Sequence, residues 1–168
     1  MDPINTQDER AEKFIQRWAI STASERATSQ SFIIELCELL DVPRPHATAD
    51  RDYMFERALK EAHADGQESD RYVDCYKRGH FILEAKKVNT GSHTKSYSNT
   101  LLSAHAQAQN YARALPAAEG RPPIIMVVDV GQVIQLFAEF SRTGGNYIPS
   151  PDPRSHQIKL QDPRDEKI

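Results

Sequence analysis

At 168 residues, with 39% hydrophobic and 27% charged side chains, the chain suits one domain with a sizeable core and is too apolar to be disordered throughout. A net charge of −3 argues against a generic basic nucleic-acid coat, but the charge is uneven. Acids outnumber bases eight to four over residues 41–70, whereas Arg71, Lys77, Arg78, Lys86, Lys87 and Lys95 face only Asp74 and Glu84 over residues 71–95. Cys37 and Cys75 lie in separate apolar runs and the six histidines show no zinc-ligand spacing, so reduced, buried thiols and a cytoplasmic protein without a zinc site are expected. Neither a signal h-region nor an apolar run of membrane-spanning length occurs, so no membrane partner is expected.

Residues 1–10 are polar and read as a frayed start. Ala11, Phe14, Ile15 and Trp18 then follow the i, i+3, i+4, i+7 spacing of an amphipathic helix. Thr22-x-x-Glu25 has the form of a capping box, and Phe32, Ile33, Leu36, Cys37 and Leu40 give a second helix its apolar face before Pro43 and Pro45 end it. Tyr53 to Leu59 fits a strand or the start of a short helix, the strand being favoured, and residues 61–70 read as a loop with a turn at Asp65-Gly66. Two strand-like runs around Gly79 form a hairpin, and residues 90–98 have the composition of a mobile loop whose place directly after the Glu84 strand favours substrate contact over a plain connector. Ser98 or Asn99 can cap a helix running to about Leu115, with Leu101, Ala104, Ala108, Tyr111 and Leu115 inward. Ile124 to Val128 is a β-branched run suited to a strand buried on both faces, Val133 to Phe140 is a further strand, and Gln157 to Leu160 a short edge strand. The order predicts an α/β sandwich on a mixed sheet in a single domain over residues 1–168, with N-terminal helices in 10–41, a core of sheet and helix in 53–140 and a C-terminal extension in 141–168.

The hairpin carries the chemistry. In Phe81 to Lys86 alternation puts Ile82, Glu84 and Lys86 on one face, so a carboxylate and an ammonium share an otherwise apolar strand. Opposed residues in an antiparallel hairpin share a face and their numbers sum to a constant, so Asp74 and Glu84 share a face only if the loop has an odd number of residues. The loop Lys77-Arg78-Gly79, with Gly79 left-handed, is the expected one; it sets Asp74 opposite Ile82 and Glu84 diagonal to Asp74, roughly 5 to 8 Å away. Two carboxylates that close need a proton or a cation between them. An all-oxygen donor set points to magnesium, with manganese as its substitute, and Lys86 is aimed at the same place. The competing reading is a structural ion pair on a solvated hairpin.

Asp74, nine residues, then Glu84-Ala85-Lys86 resembles the active-site motif of the PD-(D/E)xK nuclease superfamily, with Val73 where the name has proline. Gln107-x-x-x-Tyr111 resembles the glutamine–tyrosine motif of its RecB-like members, whose side chains support the site. Phe14-Ile15-x-Arg17-Trp18, Ser24-Glu25-Arg26-Ala27, Leu36-Cys37-x-Leu39-Leu40, Tyr53-x-Phe55-Glu56 and Pro151-Asp152-Pro153 are similar to the N-terminal region of MmeI-like restriction-modification proteins. This resemblance implies a restriction-endonuclease-like core, a central mixed sheet flanked by helices. It implies a magnesium-dependent deoxyribonuclease acting on double-stranded DNA, with Asp74 and Glu84 holding the metal, Lys86 assisting the attacking water, and Glu25, Gln107 and Tyr111 in support. Lys87 and Lys95 are candidate DNA-phosphate contacts. In that family a DNA methyltransferase and a target-recognition domain are covalently linked to the nuclease. This chain has no glycine-rich S-adenosylmethionine loop, so it is expected to be an N-terminal portion whose methyltransferase part, and the need for S-adenosylmethionine, lie elsewhere.

Local explanations stand beside these roles. Glu25 fits a capping box, Glu56 an edge position, Tyr111 a core position, and Lys87 solvent. Asp165-Glu166-Lys167 repeats the acid-x-lysine pattern in a polar tail and carries no weight. The rival functions are a stand-alone repair nuclease and a catalytically silent DNA-docking or assembly module.

Overall fold

The computed structural model describes residues 3–19, 25–46, 52–87, 95–143 and 145–160, apart from the side chains of residues 3–6, 25–27, 96 and 97. Its elements run α1 (Pro3–Ala19), α2 (Glu25–Leu39), β1 (Tyr53–Ala62), β2 (Glu68–Lys77), β3 (Phe81–Lys86), α3 (Lys95–Ala114), a 3-10 turn (Ala117–Glu119), β4 (Ile124–Asp129), β5 (Val133–Ala138), β6 (Ile148–Pro149) and β7 (Gln157–Lys159). The fold is α/β with one mixed seven-stranded sheet in the order β1-β2-β3-β4-β5-β6, and β7 also pairs with β5. Only the β3–β4 pairing is parallel among these, as a crossover through α3 requires. No helix among the described residues is long and apolar enough to cross a membrane.

Each sheet face has its own core. On one side α3 sets Leu101, Ala104, Ala108, Tyr111 and Leu115 against Ile82, Ile125 and Val127, the inward positions its spacing predicts. On the other, Phe14, Trp18 and Phe32 of α1 and α2 pack with Cys75, Leu83, Ala85 and Val128. The Trp18 and Phe32 rings meet edge to face at 5.3 Å, an arrangement favoured by the ring quadrupoles. Both cysteines are free and buried, as expected.

The tip between β4 and β5 is tied to α1 by a close approach. Gly131 has φ +83°, and a Cβ there would stand 2.5 Å from the Trp18 carbonyl oxygen. Only glycine fits both the backbone angle and the space.

Several boundaries differ from the sequence expectation. Helix α1 starts at Pro3, not near residue 11, because proline is well suited to a first helical turn and Gln7, Glu9 and Arg10 are helix-compatible on an exposed face. The expected loop at 61–70 is mostly strand, with only residues 63–67 between β1 and β2. Charge hid this ribbon: Lys60 pairs with Asp70 at 2.7 Å and Arg71 with Glu61 at 2.8 Å across the two strands. Helix α3 begins at Lys95 rather than at Ser98 or Asn99. Within the C-terminal extension, β6 and β7 complete the sheet along the free side of β5.

Candidate active site

The β2–β3 hairpin pairs Cys75 with Leu83, Tyr76 with Ile82 and Lys77 with Phe81, an even sum. Parity therefore holds, but the three-residue loop is Arg78-Gly79-His80, one position later than expected. Gly79 takes φ +70°, and the His80 N–H donates to the Lys77 carbonyl at 3.0 Å, which keeps Lys77 in the ladder. The one-residue shift sets Asp74 directly opposite Glu84 rather than opposite Ile82.

At that level the two strands part. The ladder ends at Cys75 and Leu83, and side chains take over its donors: the Ala85 N–H donates to Asp74 Oδ2 at 2.8 Å and the Asp74 N–H to Glu84 Oε1 at a long 3.4 Å. Each carboxylate thus holds the other's strand. Glu84 is only 2% exposed, and burial first, then the charge of Asp74, push its carboxyl up to about 8, with the Lys86 charge acting in the opposite direction. Two acids so placed want positive charge between them.

Other groups complete the setting. Gln107 Nε2 donates to the Tyr111 hydroxyl at 2.5 Å on the α3 face toward the sheet. Burial raises the Tyr111 phenol, the Gln107 hydrogen bond works against that and the Glu84 charge adds to it, so this ring stands in the field of Glu84. Lys86 and Lys87 are half-buried at the end of β3, and Lys95 is exposed at the start of α3. Glu25 opens α2, but its side chain lies outside the described residues, as do the Thr22 capping position, residues 90–94 of the candidate substrate loop and the tail containing Asp165-Glu166-Lys167. His80 is exposed at the turn, and His105 stacks on Phe137 at 3.9 Å.

Two acids gain importance only in three dimensions. Glu56 of β1 falls opposite Asp74, between the pairs Phe55–Cys75 and Arg57–Val73, and its φ of 51° is left-handed. Tyr53 and Phe55 before it pack with α1 and α2, whereas Leu59 after it packs with α3, so the strand turns over at Glu56. Asp129, wholly buried at the end of β4, is the register partner of Lys86. Its sequence signal was an acid closing a β-branched run, legible only once β4 is known to lie parallel to β3.

Among the described residues, no group of three or more histidines, cysteines, aspartates and glutamates is placed to hold a metal ion. The Asp74–Glu84 pair still fits a hard cation. Its donors are all carboxylate oxygens, and its buried acid titrates high because it is buried and faces the charge of Asp74. Magnesium characteristically takes one or two protein carboxylates and fills its other positions with water or phosphate.

Residues 7–163 match the family described as MmeI, N-terminal domain. No curated protein and no solved structure matches the chain.

Proposed function

Because the chain belongs to the MmeI N-terminal-domain family, we propose that it is the magnesium-dependent DNA endonuclease domain of a restriction-modification protein with a restriction-endonuclease-like core. It would hydrolyse phosphodiester bonds of double-stranded DNA to leave 5′-phosphate and 3′-hydroxyl ends. The observation that carries this reading is the meeting of Asp74 and Glu84 where β2 leaves β3, each carboxylate bonded to the other's strand, with Glu84 buried beside a like charge.

Asp74 and Glu84 would hold the ion. Magnesium bound there supplies polarisation of a phosphoryl oxygen and activation of water. Lys86, on the same face as Glu84, orients the attacking water or neutralises charge developing on phosphate oxygens. Gln107 restrains the Tyr111 hydroxyl, and the two brace the wall behind Glu84. Lys87 and Lys95 are positioned by sequence to meet phosphates flanking the cut, and Glu25 remains a supporting candidate. S-adenosylmethionine belongs to a linked methyltransferase, as target choice does to a linked recognition domain.

The test is DNA cleavage with magnesium by the full-length protein. Asp74→Ala and Lys86→Ala should each cut at least about a hundredfold more slowly; either variant cutting at the parental rate rejects the assignment. A second reading draws on the same two backbone bonds, since carboxylates that pin diverging strands also suit a catalytically silent docking module. Manganese titration separates them: a silent module binds no ion in a manner dependent on Asp74 and Glu84.

A further inference from the structure

On the α3 face of the sheet, β4 presents Ile125 and Val127, both 0% exposed and apolar, and then Asp129, also 0% exposed. A carboxylate that deep needs compensating charge or hydrogen bonds. Register sets Lys86 directly across from it on the neighbouring parallel strand, about 4.8 Å away at the backbone. Paired residues of adjacent strands project from the same face, so Lys86 stands between two acids, Glu84 two residues earlier on its own strand and Asp129 beside it.

This position matters because Lys86 and a divalent cation compete for the same carboxylates. The Lys86 charge already favours ionised Glu84. An ammonium that settled on the Asp74–Glu84 pair would fill the place a metal needs, whereas an acid on the far side draws it back. Asp129 does not itself belong to the cation site, as no third acid among the described residues joins Asp74 and Glu84 closely enough to share an ion. Its effect must pass through Lys86.

We propose that Asp129 is a positioning residue that draws the Lys86 ammonium toward β4 and off the Asp74–Glu84 pair, keeping that pair open to a divalent cation. The inference rests on the metal-site reading above.

A calorimetric double-mutant cycle with manganese on the 168-residue chain tests it. The parent, Asp129→Asn, Lys86→Met and the double variant are titrated, and thermal melting checks that each is folded. Asp129→Asn should bind manganese about fivefold or more weakly than the parent, and the same substitution should have no effect in the Lys86→Met background. Unchanged affinity in Asp129→Asn, or an equal loss in both backgrounds, overturns the proposal, because a purely structural role does not require Lys86. Asp129→Ser is carried through the same cycle, and loss of fold in both Asp129 variants likewise overturns it in favour of a structural role. A parent that binds no manganese through Asp74 and Glu84 rejects the metal site itself, an outcome distinct from failure of the Asp129 step.

Discussion

Two clusters of charge are buried on the α3 side of the sheet, and they are built on opposite rules. Near the hairpin tip, Arg57 and Glu119 form an ion pair at 2.9 Å with side chains 14% and 10% exposed, and the Tyr76 hydroxyl donates to the other Glu119 oxygen at 2.9 Å. The guanidinium also lies 5.6 Å from the Tyr76 ring centre. Opposite charges and a hydroxyl meet there, with only Arg57 Nε of the guanidinium buried without a hydrogen-bond partner, and the result fastens the 3-10 turn after α3 onto β1 and β2. At Asp74 and Glu84, two acids face each other instead, and burial and like charge push Glu84 up to about 8. The first cluster carries its own counter-charge. The second sets two acids against each other in a buried place, where burial and like charge disfavour the ionised form of Glu84, and such a perturbed carboxyl is the electrostatic character expected of a functional site.

The sharpest way to break the contrast is to remove half of the oppositely charged cluster. Arg57→Ala or Glu119→Ala leaves the other charge stranded in a dry place and should destabilise the chain by about 3–5 kcal/mol, measured by denaturant unfolding. A loss under about 1 kcal/mol would mean that the pair behaves as a surface bridge.

Relieving the like-charged pair should act in the opposite direction. The Glu84 carboxyl has its folded value raised to about 8 from the ordinary 4.5, so over that range the folded chain holds a proton that the unfolded chain has released. The stability this group contributes is full below pH 4.5 and is lost as pH rises toward 8. Glu84→Gln lacks that loss. Without metal it should melt above the parent by a margin that grows from pH 5 to pH 8 and reaches on the order of a few kcal/mol, while cleavage falls. A variant that melts below the parent at pH 8 would place Glu84 among the satisfied structural charges.

The smallest effect concerns the ground under the site rather than its charge. Gly131→Ala meets the Trp18 carbonyl and a left-handed backbone angle together, and should cost about 1–3 kcal/mol in thermal or denaturant melts. Because Val130 N–H donates to the Lys86 carbonyl at 2.9 Å, this strain is applied close to β3. Gly79 has open space around its Cβ position, so Gly79→Ala carries the backbone cost alone and serves as the control.

Much of this could be read along the chain, and the reasons are local. Alternation within β3 put Glu84 and Lys86 on one face, helical spacing in α3 set Tyr111 inward and one turn from Gln107, and the β-branched run at 124–128 announced a strand buried on both sides. Each depends on residues only a few positions apart, whose relative directions follow from backbone geometry. The turn was legible only to parity: an odd loop was required, but its exact position depended on Lys77 joining the ladder opposite Phe81. Polar composition concealed the exposed ribbon at 60–71 and the first turns of α1, because charge on a solvent-facing element resembles charge in a loop. What tertiary structure alone decided are the neighbours brought from far along the chain: Asp129 beside Lys86, Glu119 against Arg57, Trp18 on Gly131 and Glu56 across from Asp74. Strand order and parallel register determine those meetings, and neither is encoded in the period of any one segment.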